Sequence, residues 1–434
     1  MVTRSVHFVL NVSMLTLRTF FIPESEVDSM QVVHKYGGTS VASLEKIQAV
    51  AAHVAALKQA GHSIAVVASA MGASTDRLKA MADAIGPGLS PREMDTLLAT
   101  GEQQTVALLA LAIQQHGVAA VSLTGAQCGF ITTGHHTRAR IKRIDGARLR
   151  QIVKDGAVPV VAGFQGMDEQ GNITTLGRGG SDTTAVALAA ALGWDCEIYT
   201  DVDGICTADP RKAPGARRLS SITYDEMMEL AALGAGVLET RSVELAKKYG
   251  VRLYLGRALN ADKRKGTYIM DSVSHFEDMP VTGISSTAGR STLSARGPAG
   301  GDWVSRLFGL VAGYDISVDT IAMQGEADGQ CVVTFCCGSE SAERLMAEVR
   351  REALPVALDE RSGLSRVSLV GAGMIARSGV AARAFNLLSA ADIPYYHITT
   401  SEMAISLTVE SERETAAIQA LAEGFELLEI ASGS

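Results

Sequence analysis

The chain has 434 residues, of which 47% are hydrophobic and 20% charged, and it carries a net charge of -8. This composition predicts a globular protein of several domains and excludes disordered and collagen-like chains. The net negative charge argues against a protein that binds the phosphate backbone of nucleic acids. Six cysteines without a paired CxxC spacing predict neither a zinc site nor a disulfide framework, which fits the reducing cytoplasm.

The first 29 residues read as an extension ahead of the folded chain. Arg4 and Arg18 occur there and no acid precedes Glu24, a pattern that loosely resembles an organellar transit peptide. Met30 stands directly before the strand-like stretch QVVHKYGG, so we expect the folded part to begin at residue 30. No apolar run approaches the 18 residues that a membrane helix needs, so we expect no transmembrane segment and no membrane partner.

Short apolar runs rich in β-branched residues then alternate with alanine-rich helical stretches. The runs are SIAVVASAMG (63–72), VAAVSLTG (118–125), AVPVVAGFQG (157–166) and CEIYTDVDG (196–204). Continuous apolar strands separated by helices predict an α/β fold, with a mostly parallel sheet covered by helices on both faces. Ligands of such sheets bind beyond the carboxyl ends of the strands. The four runs place their Gly, Ser, Thr and Asp residues there.

Two glycine turns stand out at these ends. In HKYGGTS (34–40), strand residues through Lys35 lead into Gly37 and Gly38 and then into a helix. Backbone N–H groups at such a turn, with a lysine one strand step earlier, can cradle a transferring phosphoryl group. No GxxxxGK followed by Ser or Thr occurs, so the turn is not a P-loop.

The second turn lies in TLGRGGSDTTAVALAAALG (175–193), ahead of a helix-forming run. Ser181 or Asp182 is predicted as the N-cap of that helix and Gly193 as its end. Capping does not explain Arg178, an always-charged planar donor beside a helix N-terminus. Such a group suits a carboxylate or a phosphate.

The C-terminal part contains an internal repeat. RLFGLVAGYDISVDTI (306–321) and RAFNLLSAADIPYYHI (383–398) match at several positions with an offset of 77. Two copies of one supersecondary unit therefore predict two small α+β modules. VSLVGAGMIA (367–376) matches the G-x-G-x-x-A dinucleotide fingerprint, but its helix is expected only after Gly379, so we reject a dinucleotide site.

These motifs carry a family resemblance. KYGGTSVAS, VVASAMGASTD, LLATGEQ, SLTGAQCGFIT, TLGRGGSDTTA, EIYTDVDG and TADPR resemble, in this order, the kinase domain of aspartokinases in the amino acid kinase family. The C-terminal repeat is similar to the paired ACT regulatory modules of that family. The resemblance implies a catalytic domain at 30–270, a linker at 271–284 and a tandem ACT region at 285–434, with modules at about 285–350 and 360–430.

The resemblance implies ATP-dependent phosphorylation of the β-carboxylate of L-aspartate to 4-phospho-L-aspartate, the entry to lysine, threonine and methionine. Magnesium would accompany ATP, with no protein ligand assigned. Lys35 would stabilise the transferring phosphoryl group and Asp182 would orient Lys35. Arg178 would clamp a substrate carboxylate, and Glu102 would hold the ammonium group. Further substrate contacts implied in this way are Thr39, Ser40, Thr75 and Ser181. The nucleotide contacts so implied, besides Lys35, are Gly37, Gly38, Thr200, Asp201, Cys206 and Arg211.

On spacing alone, two of these residues have a plainer explanation. Glu102 could equally be an acid in the first turn of a helix, and Asp201 a turn former. The order of the motifs favours function for both.

Departures from the family pattern fall on the nucleotide half. GICTADPR places Cys206 where these kinases have an aromatic residue, and GAGVLETR places Gly236 where they have a lysine that contacts ATP phosphates. The loss of such a cation removes transition-state stabilisation unless another group replaces it. The candidate replacements are Lys212, Arg241, Lys247 and Lys248. In the first ACT module, Ala299 replaces an acid, and Asp302 and Trp303 replace a Gly-Val helix entry.

Several functions therefore stay open at this stage. The chain is predicted to be an aspartate kinase, with a non-catalytic or weakly catalytic paralogue that binds amino acids as the alternative from another class. A kinase of glutamate, acetylglutamate or uridylate is the alternative among enzymes. By resemblance, we also expect feedback control by lysine or threonine and assembly into a homodimer or a larger oligomer.

Overall fold

The protein was analysed as a computed structural model that describes residues 29–259, 265–272, 280–300, 302–327, 329–374 and 379–429. The predicted N-terminal extension lies, apart from Ser29, outside the described residues. The first strand begins at Gln31, directly after Met30.

The large sheet holds the apolar runs of the first half of the chain. Its strands are β1 (Gln31–Tyr36), β2 (Ser63–Ala68), β3 (Ala120–Leu123), β6 (Val158–Ala162), β9 (Asp195–Thr200), β10 (Ser221–Thr223), β11 (Leu253–Arg257) and β12 (Thr267–Met270). They follow the order β10-β12-β11-β9-β1-β2-β6-β3. The pairs are parallel except β11 with β12. The predicted α/β fold with a mostly parallel sheet is confirmed.

Helices cover both faces of this sheet. They are α1 (Leu44–Gln59), α2 (Ser74–Asp83), α3 (Pro91–Gln115), α4 (Ala147–Lys154), α5 (Gly180–Leu192), α6 (Tyr224–Ala232) and α7 (Thr240–Tyr249). Neighbouring residues of β1 point to opposite faces, as the strand period of two requires. Val32 packs in a core with Ile47 of α1, whereas Val33 packs in another core with Leu188 of α5.

A second, four-stranded sheet extends past the ends of β3 and β6. Its strands are β4 (Phe130–Thr132), β5 (Ile141–Ile144), β7 (Gln165–Met167) and β8 (Ile173–Thr175), in the order β5-β4-β7-β8. The strands β4 and β7 are the next elements in the chain after β3 and β6, respectively. The small sheet is therefore placed at the carboxyl-end side of the large one, where ligands of such folds bind.

Among the described residues, α3 is the one helix that is long and apolar enough, by length and composition, to cross a membrane. The sequence analysis had expected no such run. In the fold, Leu109 and Ile113 of this helix are fully buried in the core beneath the sheet. The helix also buries Asp95 and Glu102, which ties it to the interior of the protein.

The C-terminal part forms one six-stranded sheet from both copies of the repeat. Its strands are β13 (Gly283–Pro298), β14 (Val318–Gly325), β15 (Gln330–Gly338), β16 (Ala357–Val370), β17 (Tyr395–Thr400) and β18 (Ala404–Glu410). Their order is β14-β15-β13-β16-β18-β17, so the copies join where β13 pairs with β16. The helices of this part are α8 (Trp303–Gly313), α9 (Ser339–Arg351), α10 (Val380–Ala390) and α11 (Glu414–Gly424). The domain boundaries given above stay a prediction.

The structure explains one of the matches in the repeat. Asp315 follows α8 with a φ of 55° and Asp392 follows α10 with a φ of 53°. Aspartate tolerates this left-handed conformation better than most residues, so both copies keep it where the chain turns from helix to strand. The rejected dinucleotide motif forms a short 3-10 turn at Ala372–Met374, and α10 begins at Val380 after Gly379, as expected.

The predicted N-cap of α5 was wrong. The helix begins at Gly180, and Gly179 occupies the cap position with a φ of 63°. A side chain at Gly179 would lie 2.3 Å from Cβ of Glu239, so only glycine fits there. Ser181 and Asp182 are thus free to serve other contacts, while Gly193 ends the helix as predicted, with a φ of 73°.

Candidate active site

The centre of the candidate site is an ion pair between two elements. Lys35 comes from the end of β1, and Asp182 comes from the first turn of α5. The distance from Lys35 Nζ to Asp182 Oδ1 is 2.6 Å, and the side chains are 10% and 14% exposed. The ion pair holds the Lys35 side chain in one geometry at the edge of the site. The sequence-based pairing of these two residues is therefore seen in the geometry.

The glycine turn after β1 packs against strand β9 and against the loop that leads to α2. Gly37 N–H donates to Tyr199 O at 3.0 Å, and Gly72 N–H donates to Gly38 O at 3.1 Å. A Cβ on Gly38 would lie 2.9 Å from Ala70 O, so a side chain there would displace backbone. Next to the glycines, Thr39 is exposed and Ser40 is buried. The turn therefore offers a bare backbone surface beside Lys35.

Glu102 is the buried acid of the site. It lies in the middle of α3, so the alternative of a first-turn helix acid is wrong. Its Oε1 accepts a hydrogen bond from Ala70 N–H at 3.1 Å, while its Oε2 is buried without a partner. Burial raises the pKa of Glu102 to about 7. A buried carboxylate with a spare oxygen is suited to a ligand that brings a positive charge.

Ser181 and Thr75 flank this centre in different ways. Ser181 is buried, and its Oγ lies 2.6 Å from the position that a Cβ on Gly163 would take. Thr75 is the second residue of α2 and is half-buried. The loop that leads to α2 is tied to the glycine turn through the Gly72 to Gly38 hydrogen bond.

Arg178 opens into a neighbouring cavity of about 530 Å³. The side chain is exposed in the turn that precedes α5. The other charged side chains of that cavity are four, namely Arg138, Arg140, Glu239 and Arg241. Three further arginines against one acid make the cavity strongly positive, which favours anions.

The predicted nucleotide residues lie at the end of β9, next to the glycine turn. Thr200 Oγ1 donates to Asp201 Oδ1 at 3.0 Å, and both residues follow Tyr199, whose carbonyl accepts from Gly37. They open into a cleft of about 950 Å³ that Cys206, Arg211 and Gly236 also line. Thr200 and Asp201 thus connect the glycine turn to the cleft.

Several cations of this cleft are paired with acids of the protein itself. Arg211 binds Asp209 at 2.7 Å and its side chain is 89% exposed, while Arg257 binds Asp203 at 2.7 Å. Lys212 Nζ lies 2.5 Å from Glu414 Oε1, in the C-terminal helix α11. The cleft is therefore less positive than its arginines and lysines suggest.

Gly236 has room for a side chain but an unusual backbone. Its φ is 48°, and the nearest atom to an added Cβ is Gly234 O at 3.8 Å. The lysine expected from the family would therefore meet no clash, but it would have to adopt the left-handed conformation.

Of the four proposed substitutes for the missing lysine, one lines the cleft. It is Lys212, whose charge is held by Glu414. Arg241 Nη1 donates to the carbonyls of Ala139 and Leu176, and Lys247 pairs with Asp225 at 2.6 Å. Lys248 lies over the ring of Tyr249.

The C-terminal segment supports the hairpin of residues 206–218, which lines one side of the cleft and is closed by a β-bridge between Cys206 and Arg218. Thr207 Oγ1 donates to Leu427 O at 2.6 Å, and Glu429 N–H donates to Gly215 O at 2.7 Å. Between these contacts, Ala216 and Leu428 form a β-bridge. The hairpin that contains Cys206 and Arg211 is therefore held in place by the last described residues of the chain.

The sequence analysis missed Asp95, which is fully buried on α3. Its carboxylate lies 2.8 Å from His136 Nδ1 and accepts from Thr137 N–H, so it anchors the loop between β4 and β5. Asp95 and Glu102 are seven residues apart, which places both on one face of a helix. That spacing was the signal available in the sequence.

Glu197 was also missed, because it stands inside an apolar strand. It accepts a hydrogen bond from Tyr199 Oη at 2.6 Å and lies 3.2 Å from His34 Nε2. These groups sit on β1 and β9, directly behind the glycine turn. Burial, and then the neighbouring Glu197 carboxylate, raise the pKa of Tyr199, so this hydroxyl stays a hydrogen-bond donor.

Comparison with known proteins places this geometry in a family. The family model of the amino acid kinase family matches residues 30–257, and that of an ACT domain matches residues 367–425. Aspartokinase 2 of Bacillus subtilis is 45% identical over 91% of this chain and 98% of that protein. The aspartate kinase of Pseudomonas fluorescens is 44% identical over 91% of this chain and 97% of its own length. The chain belongs to the aspartokinase family.

Solved structures of the family agree with the fold. Aspartate kinase from Synechocystis has a TM-score of 0.51 at 38% identity, covering 93% of this chain and 71% of that chain. E. coli aspartokinase III in complex with aspartate and ADP has a TM-score of 0.76 at 23% identity, and the match covers 91% of this chain and 99% of that chain. The family and the fold expected from the sequence motifs are both confirmed.

Proposed function

We propose that this chain transfers the γ-phosphoryl group of ATP to the β-carboxylate of L-aspartate, giving 4-phospho-L-aspartate and ADP. The observation that carries the proposal is the Lys35 and Asp182 pair beside a bare glycine turn, with the buried Glu102 nearby. In this arrangement a cation faces the phosphoryl group and an anion faces the amino acid. Relatives at 45% and 44% identity are named for this activity and support it.

Glu102 and Arg178 are proposed to hold the two ends of the amino acid backbone. The unpartnered Oε2 of Glu102 would accept from the ammonium group, and the exposed guanidinium of Arg178 would clamp the α-carboxylate. The remaining contacts proposed for the substrate are Thr39, Ser40, Thr75 and Ser181. When the ammonium group and the α-carboxylate are both bound, the β-carboxylate is the group that can approach the γ-phosphate.

The chemical step requires positive charge rather than a strong base. The β-carboxylate is already ionised at neutral pH, so one of its oxygens attacks the γ-phosphorus while the bond to the β-phosphate oxygen breaks. Lys35 would stabilise the charge on the transferring oxygens, and Asp182 would keep its Nζ aimed there. The N–H group of Gly38 in the turn would add a fixed dipole, while that of Gly37 is held by Tyr199 O.

ATP is proposed to bind in the cleft lined by Thr200, Asp201, Cys206 and Arg211. Magnesium commonly binds through phosphate oxygens and one or two carboxylates. Within the described residues, no three His, Cys, Asp or Glu side chains cluster as a metal site. Of the carboxylates that line the cleft, Asp201 would hold a magnesium ion that enters with ATP, because Asp203 and Asp209 bind Arg257 and Arg211.

The test is a phosphoryl-transfer assay with purified full-length protein, ATP and Mg²⁺. L-aspartate, L-glutamate, N-acetylglutamate or no acceptor is supplied, and hydroxylamine traps any acyl phosphate as a hydroxamate. We expect hydroxamate and ADP with L-aspartate only. Turnover that prefers L-glutamate or N-acetylglutamate would instead assign the chain to another carboxylate.

A second candidate function is an amino-acid-binding subunit with little or no catalysis. It is favoured by one observation, the absence of a lysine at Gly236 together with the engagement of Lys212 by Glu414. Protein that binds L-aspartate but gives no ADP with any acceptor would support this candidate.

We further propose a cytoplasmic homodimer or larger oligomer that is controlled by lysine or threonine through the ACT region. The edge strands β14 and β17 expose apolar side chains, Ile321, Met323 and Ile398. Exposed apolar sheet edges favour pairing with another chain. Light scattering with and without each amino acid tests the assembly, and initial rates test the control.

A further inference from the structure

The turn that carries Arg178 is weakly determined by its own residues. It connects β8 to α5, and the Arg178 side chain is exposed. The residues on either side of Arg178 are glycines in the left-handed conformation, with a φ of 79° at Gly177 and 63° at Gly179. Because glycine has more conformational freedom than any other residue, the place of the Arg178 guanidinium depends on the segments that flank the turn.

One such segment, residues 137–139, lies against the start of the turn. Ala139 N–H donates to Thr175 O at 2.9 Å, where β8 ends. A Cβ on Gly177 would lie 3.1 Å from Thr137 O, so the turn packs closely on this segment. A shift of residues 137–139 would therefore shift the turn as well.

A half-buried arginine joins the segment to the turn a second time. Arg241 Nη1 donates to Ala139 O at 3.1 Å and to Leu176 O at 3.2 Å. One carbonyl belongs to the segment and the other to the turn. The two pieces of chain are thus fixed to each other, and what remains is the group that fixes both to the rest of the domain.

That group contacts the segment at a strained residue. Thr137 has a φ of 66°, and a β-branched residue in the left-handed region is an outlier. Such a backbone conformation persists only where the surrounding structure enforces it. The enforcing group is the carboxylate of Asp95 on α3, because Thr137 N lies 3.0 Å from each of its two oxygens.

Asp95 also reaches the turn by a second route. Its carboxylate is fully buried, and Oδ1 accepts from Thr175 Oγ1 at 2.5 Å, while Oδ2 lies 2.8 Å from His136 Nδ1. A buried carboxylate with several donors is costly to disturb. One side chain thus holds both Thr137 in the segment and Thr175 at the entry to the turn.

The helix that carries Asp95 also carries Glu102, which is proposed to bind the ammonium group of the acceptor. We propose that Asp95 is a positioning residue, which sets the distance of the Arg178 guanidinium from Glu102. It acts through Thr137 and Thr175 and does not touch the substrate. Helix α3 is then the common reference for both ends of the amino acid. This inference rests on the proposed function and adds to it the residue that places the carboxylate clamp.

The first test is the steady-state kinetics of full-length Asp95→Asn, which keeps the size of the side chain and removes its charge. The clamp binds the α-carboxylate equally before and during phosphoryl transfer, so its displacement should act on substrate affinity alone. The KM for L-aspartate should rise about tenfold, while kcat and the KM for ATP stay within about twofold. A parallel change in all three constants would make Asp95 a structural residue and overturn the proposal.

Asp168→Asn is the matched control. Asp168 is also buried and accepts hydrogen bonds from the N–H groups of Gln170 and Asn172, in the turn between β7 and β8. It thus holds a turn of the same small sheet, but not the one that carries Arg178. Its KM for L-aspartate should stay within about twofold of the wild type, and a rise equal to that of Asp95→Asn would contradict a specific role of Asp95.

A double-mutant cycle with Arg178→Gln tests whether Asp95 acts through the arginine. If it does, Asp95→Asn should change kcat/KM for L-aspartate less than about twofold in the Arg178→Gln background, because the clamp is already lost. The same tenfold factor in both backgrounds would overturn the proposal, since Asp95 would then act on the acceptor by another route.

Hydrogen–deuterium exchange of the ligand-free protein tests the placement independently of catalysis. Asp95→Asn should speed exchange at residues 137–139 and 176–180, whereas Asp168→Asn should leave both segments unchanged. Unchanged exchange at 176–180 in Asp95→Asn would overturn the proposal. A wild-type protein that gives no product with L-aspartate, although Asp95→Asn exchanges faster there, would contradict the proposed function and still support the placement of the turn by Asp95.

A second variant replaces Asp95→Asn if that protein fails to fold. Thr175→Val removes one donor to the Asp95 carboxylate and leaves its contacts with Thr137 and His136 in place. The KM for L-aspartate should then rise several-fold, with kcat unchanged. A Thr175→Val enzyme with the wild-type KM and wild-type exchange at 176–180 would overturn the proposal.

Discussion

The proposed acceptor side and the proposed nucleotide side of the site are built in different ways. On the acceptor side, Lys35 and Glu102 are buried and fixed by short contacts to Asp182 and Ala70. On the nucleotide side, the cleft is larger, and its cations are bound to the carboxylates of Asp209 and Glu414. The proposed acceptor side is thus organised before any ligand binds. On the proposed nucleotide side, the cations must leave their carboxylate partners before they can bind phosphate.

The largest expected effect comes from Lys35. Lys35→Met should lower kcat about 10²- to 10³-fold, because removing one preorganised hydrogen-bond donor from a transition-state anion has an effect of this size in other enzymes. Initial rates of ADP release measure this. Lys58→Met, which removes a lysine from the far end of α1, should leave the rate within twofold. If the Lys35→Met enzyme keeps the kcat of the wild type, Lys35 does not stabilise the transition state.

Glu102 should control both substrate affinity and its pH dependence. The ionised form binds ammonium, so the affinity for L-aspartate should fall as the pH drops below the Glu102 pKa of about 7. Glu102→Gln should raise the KM for L-aspartate about tenfold or more and abolish its change between pH 6 and pH 8. A wild-type KM that is flat over this range would argue that Glu102 does not bind the ammonium group.

Glu102 should also lower the free energy of unfolding of the protein at pH values above its pKa. A carboxyl whose folded-state pKa is raised contributes stability below its unfolded pKa, and this is lost as the pH rises through the folded value. With a shift from 4.5 to about 7, Glu102→Gln should raise the free energy of unfolding at pH 8 by up to about 3 kcal/mol. Urea unfolding at pH 8 and pH 4 measures this, and the gain should vanish at pH 4, which lies below the unfolded pKa of 4.5.

On the nucleotide side, Gly236→Lys should raise kcat/KM for ATP by up to about tenfold, the value of one charge-assisted contact. The left-handed backbone at Gly236 should cost about 1–2 kcal/mol of stability. Gly236→Gln imposes the same backbone cost without the charge, so its kcat/KM should not rise. If both variants behave alike, a cation at this position has no role in nucleotide binding.

The smallest effect is expected at the link between Lys212 and Glu414. Glu414→Gln should lower the KM for ATP a few-fold, because Lys212 becomes available to phosphate. Burial raises the pKa of Glu414, but hydrogen bonds from Lys212 and nearby serines lower it overall, so its contribution to stability is present at neutral pH and lost in acid.

Glu423→Gln, at an exposed position of the same helix, is the control for this link. A KM for ATP that changes equally in both variants would contradict a specific role of Lys212.

The contacts around Lys35 could be predicted from the sequence better than the contacts that line the cleft. Lys35 lies at the end of β1, Gly37 in the turn after it and Asp182 in the first turn of α5, and a parallel sheet collects such strand ends and helix starts at one edge. The partners of Arg211 and Lys212 could not be predicted, because Glu414 is 202 residues from Lys212 and is brought there by the packing of α11.

The same reason explains the wrong N-cap of α5. Local preference favours Ser181 or Asp182 as the cap. The backbone at Gly179 is decided by a distant contact with Glu239, which no local pattern reports. Residues fixed by neighbouring strands were thus predictable, and residues fixed by long-range side-chain packing were not.

The contacts of Leu427 and Glu429 with the cleft have a consequence for how the protein is made. Ribosomes release the chain from its N-terminus, so β1, the glycine turn and α5 can assemble while the C-terminal part is still being synthesised. The hairpin around Cys206 receives its backbone partners from Leu427 and Glu429 only at the end of translation. A chain that stops before Leu427 therefore lacks the backbone partners that hold Thr207 and Gly215 in the folded protein.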